Sequence, residues 1–275
     1  MEQHKNLEWV PGDPITKEML EVKSEDYALW KKTWGDSYCV ENVFDDDELT
    51  WLEDLMYRNH KSRRVKKNGT LHFNVDNRLI QDKFFDKLKS VIPELENTEL
   101  WEGNFLITAT PYNIHIDTGN HQVMSNATYV PGKQFIIPLW FCHGHKETDY
   151  PEHGTAIFKN RFIMYGTNFA KGDAKYDTNV FYTVRDYKDL VCYNKDGSVW
   201  NVDWSKRSVS DNDYIRYFDH FKREWLDGFE LEAVYQWKRG SIIVFDRSQA
   251  HTGINFMKNK VTLKCGLSMM TTVKR

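Results

Sequence analysis

Two hydrophobic periods divide the chain. Up to about residue 100 the apolar positions recur at helical spacing. Leu49, Leu52, Leu55 and Met56 fall on one face of a helix expected over roughly 45–60, with Asp45, Asp46 and Asp47 as cap and negative first turn. Ile80, Phe84, Phe85, Leu88 and Val91 mark a second helix over roughly 80–91, which Pro93 ends. The residues before about 45 are polar and mixed, and Pro11 and Pro14 make them an irregular lead-in.

From Asn104 the pattern switches to strands. Phe105–Thr110, Ile114–Asp117, Gln134–Phe141, Thr155–Phe158 and Phe162–Met164 follow one another with no helical stretch between them, so an antiparallel sheet is expected. Pro138 inside the third run calls for an edge or a bulge. Residues 166 to about 232 interrupt the series with a polar stretch carrying Tyr176, Tyr182, Tyr187, Tyr193, Trp200 and Trp204. Within it, Asp211–Trp225 reads as one amphipathic helix with Gly228 past its end, and the whole insertion reads as a lid or a docking surface. Strands return at Ser241–Phe245 and from about Val261 to Thr272. The expected fold is mainly β with flanking helices, a double-sheet jelly roll with a ligand site between its sheets. It is expected as one domain: a helical flank over 1–100, a core of 104–165 and 233–275, and the insertion at 166–232.

Composition narrows the function classes. Ten Trp, fourteen Tyr and sixteen Phe suit strands and a walled pocket. The net charge of −3 gives no global case for nucleic acid, and the basic run from Lys61 to Lys67 reads as a solvated loop. The first residues lack an apolar signal core, and no run reaches transmembrane length. Cys39, Cys142, Cys192 and Cys265 are scattered without close pairing, so reduced thiols in a cytoplasm are expected. The sequence sets no oligomeric state.

The chemistry gathers on His115-Ile116-Asp117. On a strand, alternate side chains share a face, so His115 and Asp117 can reach one ion while Ile116 points away. One imidazole and one carboxylate are two thirds of the facial triad that binds non-haem Fe(II). The third candidate is His251, just past the Gly240–Phe245 strand. Lys264 lies on the final strand among Val261, Leu263 and Leu267, where a buried cation needs an anion. The other histidines carry less: His143, His145 and His153 read as a solvated turn, His121 as a residue of the site mouth, and His220 as surface.

These positions together resemble the Fe(II)- and 2-oxoglutarate-dependent oxygenase superfamily over roughly Asn104–Thr272. His115-x-Asp117 is similar to its HxD motif, His251 to its distal histidine, and Lys264 to the basic residue that pairs with the cosubstrate's far carboxylate. Gly240–Asp246 resembles the strand leading into that histidine, and Lys264–Ser268 the closing strand of small members with lysine there. The chain departs in the long gap between Asp117 and His251. It also lacks the common Arg-x-Ser, for which Lys260-Val261-Thr262 is an imperfect analogue. Lys264 is preferred over Lys260, which sits in a turn and is more easily solvated.

The resemblance implies Fe(II) held by His115, Asp117 and His251. The 1-carboxylate and 2-oxo group of 2-oxoglutarate would fill two open positions and O2 the last. The 5-carboxylate would meet Lys264, with Thr108 or Ser268 as helper. It further implies oxidative decarboxylation to succinate and CO2, coupled to hydroxylation of a small molecule or a peptide side chain. Asp117 speaks against halogenation, for which related enzymes replace the carboxylate. Two other readings stand beside it: a cupin-like metal-binding protein without turnover, which would not need Lys264, and a three-histidine barrel enzyme, against which Asp117 speaks.

Overall fold

The computed structural model describes residues 24–65, 70–119, 130–142, 153–163, 167–169, 182–184 and 190–274. Three longer helices come first: α1 (Ser24–Lys31), α2 (Asp46–Arg58) and α3 (Asn77–Val91). Asp45 caps α2 reciprocally. Its side chain accepts from the Glu48 amide, and Glu48 accepts from the Asp45 amide. Around and after these helices run β1 (Tyr38–Val40), β2 (Arg64–Val65), β3 (Leu71–Val75), β4 (Thr98–Thr108), β5 (His115–Ile116), β6 (Pro131–Cys142), β7 (Gly154–Phe162) and β8 (Thr167–Phe169). The remaining strands are β9 (Tyr182–Val184), β10 (Cys192–Tyr193), β11 (Val199–Trp200), β12 (Leu231–Gln236), β13 (Ile242–Asp246), β14 (Gln249–Gly253) and β15 (Leu263–Val273).

The strands form two sheets. One runs β1-β13-β6-β15-β4-β3-β2; the other runs β11-β10-β7-β14-β5-β8-β9, with β12 also paired to β7. Every pair is antiparallel except β8–β9, which is parallel. Side-chain alternation gives the first sheet two unlike faces. Cys265, Leu267 and Met269 of β15, with Phe135, Ile137 and Leu139 of β6, pack against Leu52, Met56, Phe84 and Leu88 of α2 and α3. The alternate residues, Lys264, Gly266 and Ser268 of β15 and Gln134 and Ile136 of β6, face the second sheet. There Ile136, Ile157, Ile243 and Phe245 form a small inter-sheet cluster. This is the expected jelly roll with helices on one flank.

Several expectations are corrected. The lead-in contains α1 and a sheet strand, β1, where only irregular chain is expected; residues 1–23 lie outside the described residues. β3 and β12 are strands that periodicity does not reveal, and the strand expected from Phe105 starts at Thr98. Asp211–Trp225 is not one helix: a single α turn (Asp211–Asp213) passes into a π turn (Tyr214–Phe218), and a separate 3-10 turn covers Arg223–Leu226. The described part of the insertion is a layer of core. Trp204, Phe218, Phe221, Leu226 and Phe229 pack on Ile114, Ile116, Phe158 and Phe162 of the second sheet. Pro138 is tolerated in an interior strand because the β6–β15 register shifts beside it, between Cys265 and Gly266. Among the described residues no helix is long and apolar enough to cross a membrane.

Candidate metal centre

The register brings the three expected ligands together. β5 lies between β14 and β8, with His251 directly opposite His115. Antiparallel partners point to the same face, and the two imidazole centroids are 4.1 Å apart. Asp117 follows β5 and completes the group: one ligand atom from each of His115, Asp117 and His251 lies within 4.8 Å of the others, and all three residues are buried. Asp117 Oδ2 is 3.7 Å from His115 Nε2 and 3.4 Å from His251 Nε2.

The groups behind the ligands fix their chemistry. His115 Nδ1 lies 2.6 Å from the Asn113 carbonyl and His251 Nδ1 3.0 Å from the Gln249 carbonyl. A carbonyl only accepts, so each Nδ1 carries a proton and Nε2 is the atom facing Asp117, a donor while it holds a proton and a ligand atom once it has lost it. Burial pushes the Asp117 carboxyl up. The His115 and His251 rings and the hydrogen bonds from His251 and Gln134 outweigh it and hold the group below the usual carboxylate range. Gln134 Nε2 donates to Asp117 Oδ2 at 2.8 Å and to Ser268 Oγ at 3.1 Å. Arg247 clamps the ligand-bearing backbone. Its Nε donates to the Asp117 carbonyl at 2.7 Å, and its carbonyl accepts from the Asp117 amide at 3.1 Å. Two imidazoles with Nε2 turned inward and one ionised carboxylate would fit a divalent iron-type ion and would supply three of its ligands.

Lys264 faces the same interior. It is 5 % exposed, and its Nζ lies 3.9 Å from the Trp237 ring centroid and 5.0 Å from that of Phe256. Among the described residues it makes no ion pair, and burial pulls its ammonium down to about 7. Its Nζ is 3.4 Å from the point where a Cβ on Gly253 would stand, beyond His251 on β14. Thr108 pairs with Lys264 across β4–β15, and its Oγ1 donates to the Lys264 carbonyl. Ser268 sits instead at the Gln134–Asp117 end. Lys260 is exposed in a left-handed turn (φ 62°) before β15, so it does not share the inner face of that strand.

A buried ionic cluster supports the corner between β13 and β14. Asp246 accepts from Lys133 Nζ at 2.7 Å and Arg161 Nε at 2.8 Å. Gln249, two residues before His251, donates to Glu232 at 2.9 Å and accepts from the Asp246 amide at 3.1 Å.

Sequence reasoning misses Gln134, Arg247 and Trp237. The sole signal for Gln134 is a polar residue at the start of an apolar strand run. Two histidine expectations are corrected. His153 is buried just before β7, not in a solvated turn. His220 is half-buried with both ring nitrogens covered. Burial pulls its imidazole down to about 4, with Asp219 opposing and the Lys264 charge assisting. His121, His143 and His145 lie outside the described residues.

No family model matches the chain, and no curated protein matches it. Solved structures do. SnoK, a non-haem α-ketoglutarate-dependent carbocyclase from nogalamycin biosynthesis, aligns at TM-score 0.52 and 11% identity, over 95% of this chain and 87% of its own. A prolyl-4-hydroxylase from Pseudomonas putida aligns at TM-score 0.44 and 9% identity, over 90% of this chain and 100% of its own. HygX from Streptomyces hygroscopicus, with nickel, 2-oxoglutarate and hygromycin B bound, aligns at TM-score 0.43 and 13% identity, over 92% of this chain and 88% of its own. The first likeness establishes the fold: the chain has the jelly roll also seen in an α-ketoglutarate-dependent enzyme.

Proposed function

We propose that the protein is an Fe(II)- and 2-oxoglutarate-dependent dioxygenase that oxidises a small molecule or a peptide side chain, with release of succinate and CO2. One observation carries the reading. A His-Asp-His group and a buried lysine without an ion-pair partner among the described residues open into one interior, at neighbouring positions along β14 and β15. A metal sink needs the first feature and has no use for the second.

Bound iron would supply the redox chemistry that couples O2 to decarboxylation of the cosubstrate. The chain's own residues do the rest. His115 and His251 would present Nε2 to the ion, because their Nδ1 protons are held by backbone carbonyls. Asp117 supplies one negative charge and is held in place by Gln134. Lys264 meets the far carboxylate of 2-oxoglutarate, and Trp237 and Phe256 exclude water around that pair. Asp117 keeps a carboxylate where a halogenase would need space, which favours hydroxylation or a related oxidation.

The test is anaerobic addition of Fe(II) and 2-oxoglutarate to the folded protein. The expected result is a weak visible charge-transfer band, followed on aeration by succinate. Folded protein that gives neither defeats the reading.

A further inference from the structure

Glycine weakens a strand, because it has no side chain to pack and the most freedom to lose, so each strand glycine calls for a reason. Among the described residues five lie in strands: Gly103, Gly132, Gly154, Gly253 and Gly266. At four of them the protein's own atoms supply the reason. A Cβ would come within 3.0 Å of Met269 at Gly103, of Thr271 at Gly132, of the Tyr235 carbonyl at Gly154 and of Trp237 at Gly266. Gly253 differs. The nearest atoms to its Cβ position are Lys264 Nζ at 3.4 Å, the Tyr112 amide nitrogen at 3.7 Å and Pro111 Cα at 3.8 Å, all ordinary contacts. Gly253 is not among the glycines of positive φ either. Neither packing nor backbone conformation asks for glycine there.

The room this leaves faces the site. Alternate residues of a strand share a face, so Gly253 lies on the side of β14 that carries His251, two residues or roughly 7 Å further along. Lys264 borders the room from the facing sheet, and the segment that leads into His115 borders it through Pro111 and Tyr112. Its walls are fixed. Trp237, with its ring centroid 3.9 Å from the Lys264 ammonium, is tied through Nε1 to Thr155 Oγ1 at 2.8 Å. Phe256, the second ring near that ammonium, is fully buried. Thr252 Oγ1 donates to the Tyr112 carbonyl at 2.5 Å and holds that segment to β14. Gly253 itself is half-buried rather than sealed, so solvent reaches the strand at this point. A carboxylate oxygen hydrogen-bonded to Lys264 Nζ, about 2.8 Å away, has room on that side because position 253 lacks a side chain.

We infer that the far carboxylate of the cosubstrate seats between Lys264 and Gly253, and that the missing side chain at 253 selects for a 2-oxo acid with a second carboxylate at that distance. The inference rests on the oxygenase reading for the identity of the acid. Gly253 is a specificity-determining position, and it acts by absence. A methyl group there would fill the seat while leaving Lys264, the metal ligands and the strand in place.

The experiment is isothermal titration calorimetry on the zinc-loaded full chain, with 2-oxoglutarate and with 2-oxobutyrate, which has the same keto-acid end and no second carboxylate. Gly253→Ala is expected to weaken 2-oxoglutarate about tenfold, the effect of overpacking by one methyl. It is expected to bind 2-oxobutyrate as the unsubstituted protein does. Zinc affinity should be unchanged and the urea midpoint equal or higher, since alanine favours a strand over glycine. Gly253→Val is expected to weaken 2-oxoglutarate further. A stable fold that loses one acid and keeps the other is a pattern that a merely structural role does not give. Unchanged 2-oxoglutarate affinity in both variants overturns the inference. So does an equal loss for both acids, or a Gly253→Ala chain that is less stable or does not fold, because the gap would then serve packing. No binding of 2-oxoglutarate to the unsubstituted zinc protein defeats the oxygenase reading itself, a result that needs neither variant.

Discussion

At the scale of single residues, Lys264 sets the sharpest expectation. Its ordinary value of 10.5 falls to about 7 on burial. Below about pH 7 folded and unfolded chains both carry the proton, and burying the charge destabilises the fold in full. Between about 7 and 10.5 only the unfolded chain holds it, so stability rises with pH. Lys264→Met is therefore expected to raise the urea midpoint most near pH 6, with the advantage fading toward about pH 10. In the proposed function the same residue would hold the cosubstrate. Lys264→Ala is expected to raise the 2-oxoglutarate requirement steeply while metal binding survives, as read by anaerobic titration of the visible band. In the unsubstituted protein, affinity should weaken as pH rises above about 7, because binding must then be accompanied by proton uptake. Replacing His115, Asp117 or His251 by Ala is expected to abolish iron-dependent succinate formation. These four residues were legible in the sequence because each rests on local logic: strand parity for His115 and Asp117, a place just past an apolar strand for His251, which the structure puts inside a further strand, β14, and a cation in an apolar run for Lys264. Gln134, Arg247 and Trp237 were not, because their meaning lies in partners distant in the chain that no local window contains.

At the scale of elements, the corner between β13 and β14 matters most, since His251 rides on it. Asp246→Ala would leave Lys133 and Arg161 buried without their shared carboxylate, although Glu94 and Glu232 stand at 3.5 Å and 4.0 Å. The expected loss is roughly 3 kcal/mol or more in equilibrium unfolding, with weaker metal binding alongside. Gly266 is the second sensitive point. A Cβ there would stand 2.8 Å from Trp237 Cη2, and Trp237 is tied to Thr155 through Nε1 at 2.8 Å. Gly266→Ala is expected to destabilise by about 1–3 kcal/mol through overpacking. It should also weaken 2-oxoglutarate binding by moving the ring beside Lys264, which titration of the band would show. The two long helices were legible from their apolar stripes and cap. The segment at 211–226 was not. Its aromatic spacing fits a helix, yet Tyr214, Phe218, Phe221 and Trp225 pack with the second-sheet core, and its turns follow that surface.

At the scale of the whole molecule, the metal ligands all come from one sheet and its adjoining loop, while Gln134 reaches them from the other. An ion bound there would brace both layers through Asp117, which Gln134 ties to the first sheet. Co(II) or Zn(II) is expected to raise the melting temperature of the unsubstituted protein in proportion to the logarithm of free metal, and to leave Asp117→Ala unmoved, by scanning calorimetry. The jelly roll itself was legible because strand runs without intervening helices leave few alternatives. The packing of the insertion was not, because its aromatic residues are plain in the sequence while the second-sheet surface they cover, Ile114, Ile116, Phe158 and Phe162, lies far from them in the chain.

The Arg247 clamp on Asp117 has a consequence for time rather than energy. The Asp117 amide is shielded by the Arg247 carbonyl, and the Asp117 carbonyl is gripped by the guanidinium, whose other arm donates to Thr271 on β15. Exchanging the Asp117 amide proton with solvent then requires three segments, distant in the chain, to part together. That amide should be among the last to exchange even in metal-free protein, which would mean that the coordinating geometry is waiting before the ion arrives.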